Sequence, residues 1–315
     1  MIHLEQHGPV VAIRMSRALF ARPIYWTAAY WVDGLLIDTG PSCTANELLR
    51  ALDQLPVEQV VLTHSHEDHI GGLAAVRQRF PAARIYAAQR ALSTIQQPER
   101  LQLQLYRRLL WGLPKAAPDV LPLDEIDNQI RTANYLFRVV ETPGYSLDHI
   151  SLFEPHQRWL FCGDAYMEGK DEAWTPGFNM FGIVSSLRTL ASLRPEKLFS
   201  GSGTVHRTPQ PELHAKIRQL VTLAREVARL EIIGLGTPEI VACLFKEESR
   251  LAFLTRGHFS AQNLVEACRA YNAIFTPELA SPNLQSTPGE SYRRYDHPSI
   301  DPLKSEPSDE NDLAG

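Results

Sequence analysis

Thr63-His64-Ser65-His66-Glu67-Asp68-His69 follows directly on the apolar run Val60-Val61-Leu62, placing three imidazoles and a carboxylate in one short loop at a strand end. Neutral imidazole and carboxylate are the usual ligands of zinc and its first-row neighbours, so such a loop reads as a metal-binding device. Three of the chain's 11 histidines fall within these six positions, beside a buried-strand pattern, which sets the stretch apart from a polar surface loop. A chain that carries it must fold so that a strand delivers the loop and other elements close around it.

The His-x-His-x-Asp-His spacing resembles the signature of the metallo-β-lactamase superfamily. The resemblance implies that His64 and His66 bind one metal and that Asp68 and His69 bind a second. It extends over roughly the first two-thirds of the chain. Ile37-Asp38-Thr39-Gly40 matches the family's first motif, where the carboxylate of Asp38 braces the metal loop from behind without ligating. Phe161-Cys162-Gly163-Asp164-Ala165 matches the bridging-aspartate motif, which gives Asp164 two oxygens for two metals.

Two positions depart from the family pattern. In Thr142-Pro143-Gly144-Tyr145-Ser146-Leu147-Asp148-His149 the residue after Gly144 is normally histidine, and here it is Tyr145. In Phe199-Ser200-Gly201-Ser202-Gly203 the family's histidine is Ser202. His149 and His206 each follow a vacated position by four residues and are candidate substitutes. Four residues span about 6 Å in a helical turn and about 13 Å when extended, so substitution needs a coiled connection. A role for His149 beside the metal ligands or toward substrate is the alternative. His206, next to Arg207, reads equally as a solvated side chain. Tyr145 is a catalytic candidate as a hydrogen-bond donor to an oxyanion, ahead of ligating a ferric ion as phenolate. Complete loss of the metal conflicts with the survival of His64, His66, Asp68, His69 and Asp164, because a buried cluster of this kind costs stability without a cation.

The remainder of the chain supports an α/β fold. Tyr25 to Asp38 reads as a hairpin about Asp33-Gly34, Thr44-Ala45-Asn46-Glu47 as a capping box opening a helix to about Leu55, and Val57 to Leu62 as a buried strand. Gly71-Gly72 is expected to let the backbone turn before a helix at Leu73 to Phe80, followed by a strand at Arg84 to Ala87. Leu101 to Trp111 reads as an apolar helix, for packing or for covering substrate. Strands follow at Tyr135 to Glu141, Ile150 to Phe153, Trp159 to Cys162 and Lys197 to Phe199, with a helix at Val184 to Leu193. After Pro211 the helical stripe Leu213, Ile217, Leu220, Ala224 and Val227 opens a helical region, with later helices after Thr237-Pro238 and from Ser260 to about Ile274.

The expected organisation is a four-layer αβ/βα metallo-β-lactamase sandwich at 1–210, a C-terminal helical cap at 211–276 and a disordered tail at 277–315, rich in Pro, Ser and acidic residues. In relatives with helical additions such elements lean over the metal mouth, which makes Arg256 and His258 candidate substrate-binding residues. The alternative is a turn whose Ser260 caps the last helix.

At 315 residues and 44% hydrophobic content the chain can fill a sizeable core. Its net charge of −5, from 31 basic and 36 acidic side chains, with no dense basic run, argues against nucleic acid as a partner. No segment is long and apolar enough to span a bilayer, and the N-terminus has no basic, apolar leader, so a soluble cytoplasmic protein without a membrane partner is expected. Cys43, Cys162, Cys243 and Cys268 are scattered without paired spacing and read as free thiols. The family implies hydrolysis of a small-molecule thioester, ester or lactone by a metal-bound hydroxide, with Asp68 and Tyr145 catalytic and one or two divalent ions: zinc first, manganese or iron otherwise. Glyoxalase-II-like hydrolases are the nearest functional group. The alternative of another class is a metal-poor, non-catalytic ligand-binding or regulatory protein.

Overall fold

Asp33 and Gly34 both adopt positive φ, 51° and 82°, the backbone that a two-residue hairpin turn needs to match the twist of its strands. The hairpin they close, β5 (Thr27–Val32) with β6 (Leu35–Ile37), is the centre of the first sheet. The computed structural model describes residues 1–275 except Ala21 and Glu247; the expected tail, 277–315, lies outside the described residues. β1 (Ile2–His7) and β2 (Val10–Met15) form an N-terminal hairpin that pairs onto β5, and Ala18–Leu19 (β3) with Arg22–Pro23 (β4) make a small separate ladder. Across β6 the sheet turns parallel through β7 (Gln59–Val61), β8 (Arg84–Ala87) and β9 (Val120–Pro122), giving the order β1-β2-β5-β6-β7-β8-β9.

The second sheet runs in sequence: β10 (Gln129–Arg131), β11 (Leu136–Glu141), β12 (Ile150–Glu154), β13 (Trp159–Gly163), β14 (Lys197–Ser200) and β15 (Val205–His206). Among the described residues its one parallel pair is β13 with β14, joined through α6 (Met180–Ser192). Alternation along the strands sorts side chains to two faces. Tyr30, Leu35, Ile37, Val61, Phe137, Leu152, Phe161 and Phe199 fill the space between the sheets, where Phe161 and Phe199 stack at 4.5 Å. Ile13, Ala29, Leu36, Val60 and Leu62 face outward onto α1 (Ala45–Ala51) and α3 (Leu73–Arg79) through Leu48, Leu52, Leu73 and Val76. On the far side Leu160, Cys162 and Leu198 face α6 and the C-terminal helices. The result is the expected four-layer αβ/βα sandwich.

The expected elements recur with shifted ends, some shorter as in α1 and some longer as in α6, and several differences have local causes. Thr44 does precede α1, but its hydroxyl donates back to the Pro41 carbonyl at 3.1 Å instead of capping the helix. Gly71 and Gly72 are needed for space rather than for φ: both are right-handed, and a Cβ would lie 2.2 Å from the Ser42 nitrogen and 2.3 Å from the Thr39 oxygen. The short helices α2 (Glu67–Ile70), α4 (Leu92–Gln96) and α5 (Leu105–Trp111) complete the first half. The C-terminal region is helical: α7 (Pro209–Ile232), α8 (Thr237–Phe245), α9 (Arg250–Leu254) and α10 (Ala261–Phe275). Leu213, Leu220, Ala224 and Val227 of the α7 stripe are buried and join the cluster beneath α6, so these helices thicken the outer layer. Among the described residues no helix is long and apolar enough to cross a membrane.

Candidate metal centre

Asp38, at the end of β6, adopts φ 61° and turns its carboxylate into the base of the loop after β7. Oδ1 accepts the Thr63 backbone N–H at 2.8 Å; Oδ2 accepts the Thr63 hydroxyl at 2.8 Å and pairs with His69 Nδ1 at 2.8 Å. The Thr63 hydroxyl has thereby spent its proton, so at its 3.0 Å contact with His64 Nδ1 it accepts from the imidazole. Both rings are held through Nδ1 and present Nε2 to the site. α2 completes the reversal: the His69 and Ile70 nitrogens donate to the His66 carbonyl at 2.9 and 3.0 Å, bringing His66 and His69 onto one turn.

Asp164 enters from the opposite half, just past β13. Its Oδ2 lies 4.0 Å from His64 Nε2 and its Oδ1 3.4 Å from His69 Nε2, one oxygen facing each imidazole. Asp68 Oδ2 stands 4.0 Å from His69 Nε2, and the His66 ring centroid is 4.7 Å from that of His64. Ligand atoms of His64, His69 and Asp164 all lie within 4.8 Å of one another. His64 Nε2, His66 Nδ1 and His69 Nε2 are buried without a hydrogen-bond partner. Orphaned imidazole nitrogens converging beside two carboxylates fit a divalent cation of the first transition row, because only a cation satisfies their lone pairs at once.

The electrostatics agree with a site shaped around positive charge. Burial holds the imidazole of His64 well below its usual range, reinforced by His69, His66 and His149, and burial with Arg107 brings His66 to about 3. Burial also depresses His69, but Asp164 and Asp38 outweigh it and raise the group. Burial, helped by Glu67 and Asp164 against His69, pushes Asp68 up to about 7. Asp164 is held low despite its burial by His69 and Tyr145.

Tyr145 fills the place of the missing imidazole. Its ring stands edge-on to His64 at 5.3 Å and to His66 at 5.1 Å, rests on Phe178 at 4.7 Å, and its phenol faces Asp164. His149 is buried beside them, its ring centroid 4.8 Å from His64. Both its nitrogens are engaged: Nδ1 with Thr142 Oγ1 at 2.8 Å, and Nε2 as acceptor of the Asp164 backbone N–H at 3.1 Å. The expectation that it replaces the ligand lost at 145 therefore has no free nitrogen to rest on. Asp148 beside it accepts the Ser65 N–H at 2.9 Å. The pair thus ties both ligand-bearing loops together, and Gly163 makes room for it: at φ 47°, a Cβ there would lie 2.8 Å from His149 Nε2 and 2.9 Å from Thr63 Oγ1.

Ser202 and His206 belong to a different cluster. Ser202 and Ser200 both donate to Glu168 Oε1, at 2.9 and 2.6 Å. His206 reaches Glu168 Oε1 through Nε2 at 3.2 Å and binds Glu212 through Nδ1. Burial opposes its charge, but the two carboxylates raise its pKa. Held between them, His206 has both ring nitrogens engaged and does not turn to the histidine cluster.

Sequence reasoning passed over Glu67 and Arg107. Glu67 is wholly buried in the metal loop and takes both oxygens to Arg107 of α5, Nε at 2.6 Å and Nη2 at 2.9 Å. Forty positions separate the two residues, so no local spacing announces the pair. Tyr106, on the same helix, hydrogen-bonds His258 Nδ1 at 2.9 Å. His258 thus reaches the site side of the molecule through α5, whereas Arg256, at φ 53°, is exposed.

A model of the metallo-beta-lactamase superfamily matches residues 27–202, more than half the chain. The chain belongs to the metallo-beta-lactamase superfamily. The matched stretch contains Asp38, the whole metal loop, Tyr145, His149, Asp164 and Ser202, and stops short of His206, Arg256 and His258. Among curated relatives, the hydroxyacylglutathione hydrolase of Legionella pneumophila (strain Lens) is 26% identical over 148 residues, covering 46% of this chain and 48% of the relative. That of Bdellovibrio bacteriovorus is 30% identical over 128 residues, 41% of each. The chain thus matches about half the length of these relatives or less. The fold is shared with a beta-lactamase domain protein from Burkholderia ambifaria, at TM-score 0.66, 16% identity, and coverage of 87% of this chain and 89% of that one. It is shared also with a metallo-beta-lactamase family protein from Thermus thermophilus, at TM-score 0.61, 19% identity and coverage of 84% and 94%. At the level of the superfamily, this metallo-beta-lactamase-fold chain is similar to metal-dependent hydrolases.

Proposed function

We propose that the protein hydrolyses a small-molecule thioester, ester or lactone at a centre of one or two divalent ions held by His64, His66, Asp68, His69 and Asp164. The observation that carries this is the convergence of the orphaned imidazole nitrogens of His64 and His69 on Asp164, with the orphaned Nδ1 of His66 on the same turn. When bound, a divalent ion supplies Lewis acidity and brings the pKa of a coordinated water toward neutrality. Zinc suits the imidazole-rich set best, with manganese or iron compatible with the same donors.

The chain's own residues do the rest. Asp38 fixes His69 and, through Thr63, His64, so the ligands need not reorganise during turnover. Asp148 and His149 hold the backbones of Ser65 and Asp164 in register across the two halves. The Tyr145 ring packs edge-on to the histidine pair with its phenol toward Asp164, and we assign to that phenol a hydrogen bond to the substrate oxygen that gains negative charge. Asp68, on the metal loop between His66 and His69, is the carboxylate we assign to guiding the attacking water and its proton. The partial likeness to hydroxyacylglutathione hydrolases supports an acyl substrate. Replacement of two expected imidazoles by Tyr145 and Ser202 favours, as the second reading, a metal-poor binding protein.

The test is a panel of acyl thioesters, esters and lactones assayed with added Zn²⁺, Mn²⁺ or Fe²⁺ beside an Asp68→Ala control. Turnover above the control with at least one metal is expected. Turnover equal to the control throughout would put the binding-protein reading first.

A further inference from the structure

The chain is acidic overall, yet three segments that meet beside the metal loop carry only positive charge. Residues 17–25, 100–115 and 249–258 together hold eight Arg or Lys side chains and no Asp or Glu. Contacts join the segments: Arg17 Nε donates to the Leu110 carbonyl at 3.0 Å, the Tyr25 and Trp111 rings pack edge-on at 5.9 Å, and Tyr106 bonds His258. Arg107 anchors the assembly to Glu67 of the metal loop. With Arg107 and Arg17 so employed, Arg22, Arg100, Arg108, Lys115, Arg250 and Arg256 remain exposed.

The same three segments expose large apolar side chains. Phe20 is 92% exposed at the β3–β4 tip, Leu105 68% and Leu109 64% on α5, and Phe253 88% and Leu254 69% on α9. Leu105 and Leu109 are four residues apart and share one face of α5, turned from the Arg107 side that faces the metal loop. Beside α5 a groove of about 540 Å³ is lined by Leu101, Leu103 and Leu113 together with Arg108, Lys115 and one carboxylate, Glu99. Scattered exposed apolar residues are ordinary; a run of them across three contacting elements, edged by six exposed cations against Glu99 of the groove, is not.

We propose that this rim docks the protein on an anionic lipid bilayer, its aromatic and leucine side chains entering the interface and its arginines meeting the headgroups. Apolar side chains interspersed with Arg and Lys are the combination that binds an interface without spanning it. A second protein surface would have to supply both apolar area and negative charge, whereas an anionic bilayer offers the two together. Net charge and the lack of a spanning segment, which argue against a membrane partner, average over the whole chain and miss a rim assembled from three distant stretches. Docking there turns the side of the molecule bearing the metal loop toward the bilayer; a supply of acyl lipid to the centre rests on the hydrolase reading, but the docking does not.

The experiment is co-sedimentation of the full chain with phosphatidylcholine vesicles, with and without 30% phosphatidylglycerol, at low and high salt. Expected is retention on the anionic vesicles only, weakened at least tenfold by salt. Retention should be lost in a Phe20→Ser, Leu109→Ser, Phe253→Ser variant and in an Arg22→Glu, Arg108→Glu, Arg250→Glu variant. Circular dichroism and metal content of both variants should match the parent, so that lost binding is not lost folding. The proposal is overturned if the parent binds neutral and anionic vesicles alike, if it binds neither, or if well-folded variants bind as the parent does. A rim occupied by a second copy would appear as a dimer in sedimentation velocity that the serine variant dissociates, without vesicle binding. A rim occupied by residues 276–315 would appear as vesicle binding only after their removal; either result overturns it.

Discussion

The loop from the first half of the molecule and the loops from the second half serve the same centre in different ways. In the first, His64, His66, Asp68 and His69 come from one stretch of six residues, and a single buried carboxylate, Asp38, orients two of the rings. In the second, three separate turns approach the site, and only Asp164 brings a candidate ligand atom; Tyr145 and Ser202 stand where histidines are expected. The bracing is nonetheless intact on that side, where Asp148 and His149 grip the backbones of both loops. Scaffold and ligand identity have separated: the second half keeps the geometry of a metal site while offering fewer donors to it.

The comparison breaks most sharply at Asp38. Its removal by Asp38→Ala strands the Thr63 N–H and frees two rings, a loss of about 3 kcal/mol or more, since a buried charged network loses its centre. Denaturant unfolding should show this, with metal retention lost in parallel. A variant of near-parent stability would mean the first half does not depend on that brace. Next is Tyr145→Phe, which removes the donor and keeps the ring against His64 and His66. Turnover is expected to fall roughly a hundredfold with metal content unchanged, whereas an unchanged rate would reduce Tyr145 to a space-filling plug. Gly163→Ala tests the second-half scaffold: positive φ and a Cβ crowding His149 and Thr63 should cost about 2 kcal/mol. A neutral result in thermal unfolding would show that the His149 contact gives way freely.

The ligand deficit itself is sharpened by reversal. Tyr145→His with Ser202→His should raise the bound metal per chain and slow its removal by a chelator. No change would mean that Glu168 and its neighbours hold the second turn in an arrangement a histidine cannot use. The smallest effect concerns the His206–Glu168 pair. His206 is raised above its ordinary 6.5, so its contribution is whole below that pH and fades as pH rises through the raised value. Burial works to raise Glu168, but hydrogen bonds from His206, Ser200 and Ser202 outweigh it and lower the group from 4.5 to about 2. Its share is therefore whole above 4.5 and fades as pH falls toward 2. Stability from the pair should be greatest between about pH 4.5 and 6.5. In a partly exposed pair it amounts to under about 1 kcal/mol. Glu168→Gln should flatten both limbs of a stability-against-pH profile; an unaltered profile would show the pair contributes nothing measurable.

Legibility in the sequence followed the distance over which each feature is encoded. The metal loop, Asp38, Asp164 and the β5–β6 turn are written in runs of a few residues, so their chemistry and geometry could be read together. The start of α1 was legible at Thr44 but the capping bond was not, because the hydroxyl turns back to Pro41 three residues away. Gly71-Gly72 was legible as a requirement but not for its reason, because the Thr39 and Ser42 backbone that crowds it belongs to a distant stretch of sequence. The Glu67–Arg107 pair, the engagement of both His149 nitrogens and the Glu168–His206–Glu212 cluster join residues whose relation exists only after the sheets have packed. For the same reason the basic apolar rim is invisible in net charge, which sums it away.

The most direct test of the centre is metal analysis of the purified protein joined to anomalous diffraction at the edge of the metal found. The account predicts an ion whose ligands include His64, His66 and Asp164, or His69, Asp68 and Asp164, with His149 at hydrogen-bond distance from the Asp164 nitrogen and outside the coordination. An anomalous peak elsewhere in the molecule, or a folded protein that retains no ion after incubation with Zn²⁺, Mn²⁺ or Fe²⁺, would contradict it.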